Sequence, residues 1–435
     1  MTRARLDGLY LLLLGGAVFS LMSVVLQNAV PMPLTDFRAL YYPSRCLLQH
    51  HDPYMQSEVL RLYRAEGGDR SSDTAETRQV ATQDPYPPTA FTFTIPFAML
   101  SWGPAKMLWT LLSMGSLIFA SLLIWDLGAD YAPILSGTLI GFLLANSEVL
   151  IITGNAAGIA ISLCAVAVWC FFRERFVPAG ILCLAASLAI KPHDAGLVWL
   201  YLLLAGGVYR KRALQTLLAT IALSLPGVLW VWLESPHWIQ EMYSNLLAYT
   251  VHNGLNDPRN ASMGPEGIID LQTNLSVLWN DPHFYNLASY LIFVPLLLIL
   301  AFVSLRTRPS PKRSWLALAA VAPLTLLPVY HRQFDAKLLL LTVPACALLW
   351  AEGGRTGKFA ALVNVAGFAV IGDLTWVTAF GVIHSLHLSR FGLPGQIEKI
   401  LPVPPTLLAV SVFYLWVYVR STRPPVERQD SDCAA

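Results

Sequence analysis

Asp36 is the acidic residue whose position best suits proton transfer. It follows the apolar segment 9–30 by a few residues, so it lies at a membrane surface if that segment crosses a bilayer. A carboxylate there is partly desolvated, which raises its pKa and makes it a better general base. The same position also suits the N-cap of a helix that begins near Phe37. The residues alone leave both interpretations open.

Other polar residues are concentrated in three short turns between apolar segments, at residues 153–155, 191–194 and 331–335. The distribution of basic residues puts all three turns on the same side of the membrane as Asp36. Ionisable residues near a membrane usually mark a functional site. Asp52 precedes a proline and is better explained as a turn residue. We therefore expect the site on one face of the protein.

The composition indicates a membrane protein. Of the 435 residues 55% are apolar and 13% are charged, and the mean hydropathy is +0.54, whereas soluble domains carry about 25% charged residues. A bilayer core about 30 Å thick needs about 20 residues of helix, and backbone groups in lipid must bond internally. The apolar segments that span or nearly span such a layer are residues 9–30, 132–152, 213–233, 287–305, 315–330 and 406–419. The sequence thus predicts an all-α polytopic protein.

Basic residues predict the topology, because cytoplasmic loops keep an excess of Lys and Arg. Their positions fit about twelve transmembrane helices with both termini in the cytoplasm, provided that residues 91–125 form one crossing with a proline-broken start. Two larger loops, residues 31–88 and 234–285, then lie outside. We expect one transmembrane domain over residues 1–423 and a polar cytoplasmic tail over residues 424–435.

Several partner and cofactor classes find no support in the sequence. A net charge of +2 without basic blocks gives no ground for a nucleic-acid partner. The six cysteines are scattered and fit neither a disulfide framework nor a metal site. His50, His51 and Asp52 are contiguous and cannot all face one ion. We expect no metal and no other cofactor.

Short motifs occur along most of the chain. They are Asp36-Phe37, Tyr41-Tyr42, His51-Asp52-Pro53-Tyr54, Tyr86-Pro87-Pro88, Gly154-Asn155, Ala179-Gly180, Lys191-Pro192, and His331-Arg332 with Asp335 before the segment 338–344. Together they resemble glycosyltransferase family 87, the polytopic GT-C sugar transferases that include bacterial polyprenyl-phosphate-mannose-dependent mannosyltransferases. Asn155 stands where the family commonly has glutamine, and His51 where it commonly has glycine.

The resemblance implies a fold and an activity. The fold would be a GT-C bundle in the bacterial plasma (inner) membrane, with its active site on the outer face. The activity would move a sugar, mannose in the family pattern, from a polyprenyl-phosphate donor to a lipid or glycan acceptor with inversion. The family's catalytic acid/base aspartate falls on Asp36.

An inverting transfer also needs a cationic pocket for the leaving phosphate. Lys191, His193, His331 and Arg332 are the candidates, and Pro192 suggests that a helix is broken at Lys191. His331 could equally serve as a second base or be an interfacial histidine. Lys337 is better explained by a side chain that extends to the head groups.

Aromatic and amide side chains of the outer segments could stack on sugar faces and bond hydroxyl groups. The candidates for acceptor and sugar binding are Tyr41, Tyr42, Tyr86, Asn155 and His252. For any single aromatic residue, membership of an interfacial aromatic belt is the more common explanation.

The main alternative is a transporter or flippase of lipid-linked sugars. Transport predicts paired ionisable residues at mid-membrane and broken helices in matching halves of the chain. Charges within the apolar segments are few, and Asp373 is the one without an explanation. A non-catalytic scaffold would predict no clustering of polar turns on one face.

Overall fold

The computed structural model describes residues 2–68, 75–83, 86–251, 254–258, 267–385 and 402–422. The described chain is 82% helical and has no strands, and an isolated antiparallel bridge joins Ile268 to Arg332. These observations confirm the predicted all-α class. The predicted tail over residues 424–435 lies outside the described residues.

In the part of the chain that the structure describes, twenty α-helices are labelled in chain order, and a 3-10 helix, Asp335–Thr342, lies between α16 and α17. The α-helices are α1 (Arg3–Ala29), α2 (Thr35–Leu48), α3 (Gln56–Ala65), α4 (Ala75–Thr82), α5 (Pro88–Ala98), α6 (Trp102–Gly128), α7 (Pro133–Leu144), α8 (Glu148–Thr153), α9 (Ala157–Arg173), α10 (Val177–Ile190), α11 (Pro192–Ala205), α12 (Gly207–Glu234), α13 (Trp238–Thr250), α14 (Leu271–Leu278), α15 (Pro282–Arg306), α16 (Pro311–Thr325), α17 (Val343–Glu352), α18 (Gly354–Val370), α19 (Asp373–Ser385) and α20 (Val403–Ser421).

Five of these helices, α1, α6, α12, α15 and α20, are long and apolar enough to cross a membrane. A sixth crossing is formed if α18 and the start of α19, which meet at a bend of 69°, are counted as one span. Shorter apolar helices include α7, α9 and α10. The described chain therefore has five or six helices able to span a membrane, while the count of about twelve and the orientation of the termini stay predictions.

The predicted helical segments are interrupted at several points, and the break at Lys191 follows a proline position. The predicted break at Lys191 is confirmed, because α10 ends at Ile190 and α11 begins at Pro192. Proline lacks the N–H group and disfavours helical geometry in the residue before it. The predicted crossing 91–125 is likewise divided between α5 and α6, and the predicted span 132–152 is divided between α7 and α8.

Glycines bring α1 and α7 into backbone contact. A Cβ atom on Gly15 would lie 2.2 Å from the carbonyl oxygen of Gly141, and one on Gly137 would lie 1.9 Å from that of Gly8. Small residues permit this close approach of membrane helices. The approach fixes α1, whose end leads directly into the segment that carries Asp36.

The two predicted outer loops contact each other. The Asn245 amide donates to the Tyr54 carbonyl at 3.1 Å, and the Tyr249 hydroxyl donates to the Gln83 carbonyl at 2.9 Å. An exposed contact of 2.7 Å joins His50 to Glu234. Helices α2 to α4 and α13 therefore cover one end of the bundle together.

Lys337 and Asp373 form a buried ion pair at 3.4 Å. The Lys337 ammonium also donates to the carbonyl oxygens of Asn146 at 2.6 Å and Ile371 at 3.1 Å. Asp373 accepts from the Val149 N–H at 2.8 Å. The expectation that Lys337 extends to the head groups is therefore wrong, because Asp373 neutralises the ammonium charge inside the protein. The contacts of Lys337 connect the break between α7 and α8 to the bend before α19.

Candidate functional site

A cavity of about 760 Å³ opens where α2, the turns after α8 and α10, α13 and the segment after α16 meet. Six of the residues predicted for the site line it, namely Asp36, Tyr86, Asn155, Lys191, His193 and Arg332. They come from segments widely separated in the sequence. The structure thus brings together the predicted base and most of the predicted cations.

Helix α2 positions Asp36. The residue before the helix, Leu34, has φ +62°, is fully buried, and donates its N–H to the Ile152 carbonyl at 2.6 Å. A leucine in the left-handed region is strained, so the surrounding packing must hold it there. Asp36 then lies in the first turn of α2, which has no side-chain cap. The helix-cap explanation for Asp36 is therefore wrong.

Asn155 joins the base to the cations. Its Nδ2 donates to Asp36 Oδ2 at 2.7 Å, while its Oδ1 accepts from the Ala157 N–H at 2.8 Å and from Lys191 Nζ at 3.3 Å. Because two donors face Oδ1, the amide nitrogen must face Asp36. The Asp36 carboxylate thus keeps its second oxygen available for another proton donor.

Gly154 lets this turn approach α2. It has φ +67°, and a Cβ atom there would lie 2.5 Å from Leu34 Cδ2. Only glycine fits both the left-handed backbone and this contact. The Trp109 indole donates to the Gly154 carbonyl at 2.9 Å, which holds the turn that carries Asn155.

Lys191 is buried, with 5% of its surface exposed. Its ammonium group is bonded to Asp335 Oδ1 and lies 3.7 Å from Asp194 Oδ2. The residue is extended, with φ −147°, between α10 and the proline that starts α11. Two carboxylates thus hold the ammonium at the cavity wall.

Arg332 is held by the same acid. Its backbone N–H donates to Asp335 Oδ2 at 2.8 Å, and its guanidinium group donates to the Tyr330 hydroxyl and to the Leu255 carbonyl, the latter at 3.0 Å. A backbone hydrogen bond from the Ile269 N–H to the His331 carbonyl at 3.0 Å holds this segment against the region 234–285. Asp335 therefore orients both Lys191 and Arg332.

His331 lies behind the cavity wall rather than in it. Its side chain is fully buried, its ring centroid is 5.0 Å from that of His193, and its Nε2 is 3.5 Å from Asp194 Oδ1. The interfacial explanation for His331 is therefore wrong. Of the two predicted histidines, His193 is the one that lines the cavity, and its side chain is 36% exposed.

Burial controls the protonation of Asp36. Desolvation raises the pKa of its carboxyl group above the ordinary value of 3.8, against the opposing effects of the Asn155 hydrogen bond and the charges of Arg332 and Lys191. A raised pKa increases the strength of the carboxylate as a base. This direction is the one expected from its position after the first helix.

The structure does not bring Tyr41 and Tyr42 to the cavity. Both are buried in an aromatic cluster, with ring centroids 5.1 and 6.0 Å from that of Trp102. This packing corrects their assignment to sugar binding, since their rings face core side chains. The remaining candidate of that group, His252, lies outside the described residues.

Sequence reasoning missed the role of Asp194. It is 1% exposed and lies between Lys191, His193 and His331. Its turn was singled out by its polar composition, but only the cations in that turn were given a function.

Asp52 behaves as expected of a turn residue, because its carboxylate accepts from the Tyr54 N–H at 2.8 Å.

Comparison with known proteins gives one family. The sequence profile described as glycosyltransferase family 87 matches residues 85–328, more than half of the chain. That range includes Asn155, Lys191, His193 and Asp194, while Asp36 and Arg332 lie outside it. No curated protein and no solved structure gave a significant match.

Proposed function

Because the chain belongs to glycosyltransferase family 87 and is therefore an enzyme that transfers a sugar, we propose that it uses a polyprenyl-phosphate sugar, with mannose as the first candidate. The acceptor in this proposal is a lipid or glycan hydroxyl group, and the anomeric carbon is inverted. One observation carries the proposal: the Asp36 carboxylate and the cations Lys191 and Arg332 face a single cavity. Family membership favours transfer over the alternative of transport.

Asp36 acts as the general base in the proposed reaction. It takes the proton of the acceptor hydroxyl while that oxygen attacks the anomeric carbon from the face opposite the phosphate. The bond from the anomeric carbon to the phosphate oxygen breaks, and its electron pair leaves with the phosphate. The products are the glycosylated acceptor, a polyprenyl phosphate and a protonated Asp36.

Lys191 and Arg332 stabilise the charge that develops on the leaving phosphate. The ammonium group suits a point contact and the guanidinium group a two-point contact with phosphate oxygens. Asp335 and Asn155 hold the two cations before the substrate arrives. Donors fixed in place need little reorganisation during the reaction, which is what makes such stabilisation effective.

The apolar part of the cavity supports a lipid-linked donor. Val30, Ile152, Ile190 and Val329 line the wall beside the charged residues, and Val30 directly follows the membrane-spanning α1. An isoprenoid chain can lie against such a wall while its phosphate reaches Lys191. The basic-residue pattern supports an outer-face location for this cavity.

The test is a donor comparison with purified protein in lipid nanodiscs. Polyprenyl-phosphate mannose, polyprenyl-phosphate glucose and a nucleotide-linked mannose, each labelled in the sugar, are supplied with lipid extract as acceptor. We expect label in extractable glycolipid or glycan from the polyprenyl-phosphate mannose and none from the nucleotide sugar. Transfer from the nucleotide sugar at an equal rate would refute the proposed donor class, and preferred transfer of glucose would refute mannose.

A further inference from the structure

His193, Asp194 and His331 converge beside the cavity. One ligand atom from each side chain lies within 4.8 Å of the other two. The Nε2 atoms of His331 and His193 are 3.5 and 3.8 Å from the same atom, Asp194 Oδ1. Asp194 and His331 are 1% and 0% exposed. Two imidazoles from separate segments thus point at one buried carboxylate oxygen.

The hydrogen bond made by His331 Nδ1 leaves its Nε2 as an acceptor that faces another acceptor, the Asp194 carboxylate. Its Nδ1 lies 2.9 Å from the Val329 carbonyl oxygen, which can only accept, so Nδ1 carries the hydrogen. In the neutral ring Nε2 then presents a lone pair, and that lone pair faces the carboxylate. Among the described residues, neither oxygen of Asp194 nor Nε2 of His331 has a hydrogen-bond partner, and the carboxylate is paired with the Lys191 ammonium 3.7 Å from Oδ2. Buried acceptors that face each other need a positive species between them.

Two arrangements satisfy this group. A proton on His331 Nε2 lets that ring donate to Asp194 Oδ1, while the Nε2–H tautomer of neutral His193 donates to the same oxygen. One cation bonded to all three atoms satisfies both rings and the carboxylate. Bond lengths of about 2.0–2.1 Å around a tetrahedral zinc ion place its ligand atoms about 3.3 Å apart. The two distances to Asp194 Oδ1 need only a small contraction, and the two histidine ligand atoms lie within 4.8 Å of each other.

We propose that His193, Asp194 and His331 bind a divalent transition-metal ion of the zinc class, with its remaining coordination position open to the cavity. Two histidines and one carboxylate are a ligand set of catalytic zinc sites that keep an open position. The bond from His331 Nδ1 to a backbone carbonyl is the contact that commonly orients metal-binding histidines. His193 lines the cavity, so the open position faces the same space as Lys191.

The charge balance of the cavity supports a further cation. Asp36, Asp194 and Asp335 supply three negative charges, while Lys191 and Arg332 supply two positive ones. A bound metal ion reverses this balance and favours an anionic phosphate. The metal site stands on its own geometry, and only its role beside a donor phosphate rests on the proposed function. It differs from the sequence-based expectation of no metal, which considered the cysteines and one contiguous histidine segment.

The test measures metal content rather than sugar transfer. The protein is purified in detergent with a tag free of histidine, stripped with a chelator, equilibrated with zinc and desalted, and zinc is then measured by mass spectrometry. We expect about one zinc ion per chain. Asp194→Asn, His331→Gln and His193→Ala should lose most of it, while the exposed His50→Ala should retain it.

Each variant is checked for a single symmetric gel-filtration peak before metal is measured. His193→Ala is the variant to rely on if the substitutions of the two buried residues impair folding, because its side chain is partly exposed. A stripped wild type that takes up no zinc, or site variants that retain as much as His50→Ala, would overturn the metal site. These outcomes leave the donor comparison unaffected, so the metal site and the proposed transfer fail separately.

Discussion

The Asp36→Asn variant tests the proposed base with little structural change. Asparagine has the same shape as aspartate, and its Oδ1 can still accept the 2.7 Å hydrogen bond from Asn155. Since Asp36 does not cap α2, the substitution removes no helix cap. What it removes is the proton acceptor that faces the cavity.

The expected loss follows from the role of a general base. Proton transfer by a positioned side chain contributes about 10²–10⁴-fold to the rate. That factor corresponds to about 3–5 kcal/mol on the activation barrier. Turnover should fall within this range, while binding of the donor at Lys191 and Arg332 should change little, so the effect should appear in kcat.

The assay is the initial rate of label transfer at saturating donor, with expression and gel-filtration profile recorded for each protein. Asp52→Asn is the matched control, because its side chain makes the turn contact with Tyr54 and does not line the cavity. A rate for Asp36→Asn within a few-fold of wild type, in well-folded protein, would exclude Asp36 as the base.

Three further outcomes are expected. Transfer should decline as pH falls through the raised pKa of Asp36, because the protonated carboxyl cannot accept a proton, and a rate–pH profile should show this acid limb vanish in Asp36→Asn. Lys191→Met should lower the unfolding temperature, because it removes the cation shared by the buried carboxylates of Asp335 and Asp194. The double variant Lys191→Met/Asp335→Asn should regain part of that stability yet need about 10–100-fold more donor, since a charged hydrogen bond contributes about 1.5–3 kcal/mol. Recovery of donor affinity would contradict the phosphate role. Lys337→Met should lower the free energy of unfolding by about 3–5 kcal/mol, because Asp373 stays buried with its charge uncompensated. Unfolding in detergent measures this loss, and an activity assay should show unchanged transfer per folded molecule.

Local sequence patterns determined the class and several positions of the site. Long apolar segments required helices because backbone groups in lipid must bond internally, and the structure has them at residues 3–29, 207–234 and 282–306. Pro192 fixed the break at Lys191 through its own backbone chemistry. The partly desolvated position of Asp36 followed from its place just after the first apolar segment.

Only the tertiary structure decided which distant residues meet. The bond from Asn155 to Asp36 joins positions 119 apart, and that from Lys191 to Asp335 joins positions 144 apart. Hydropathy and spacing describe which face or turn a residue occupies, but contacts of this range depend on how whole helices pack. For that reason Tyr41 and Tyr42 were candidates for sugar binding in the sequence but lie buried beside Trp102 in the structure. Asp194, unremarkable in sequence, became the point at which His193 and His331 converge.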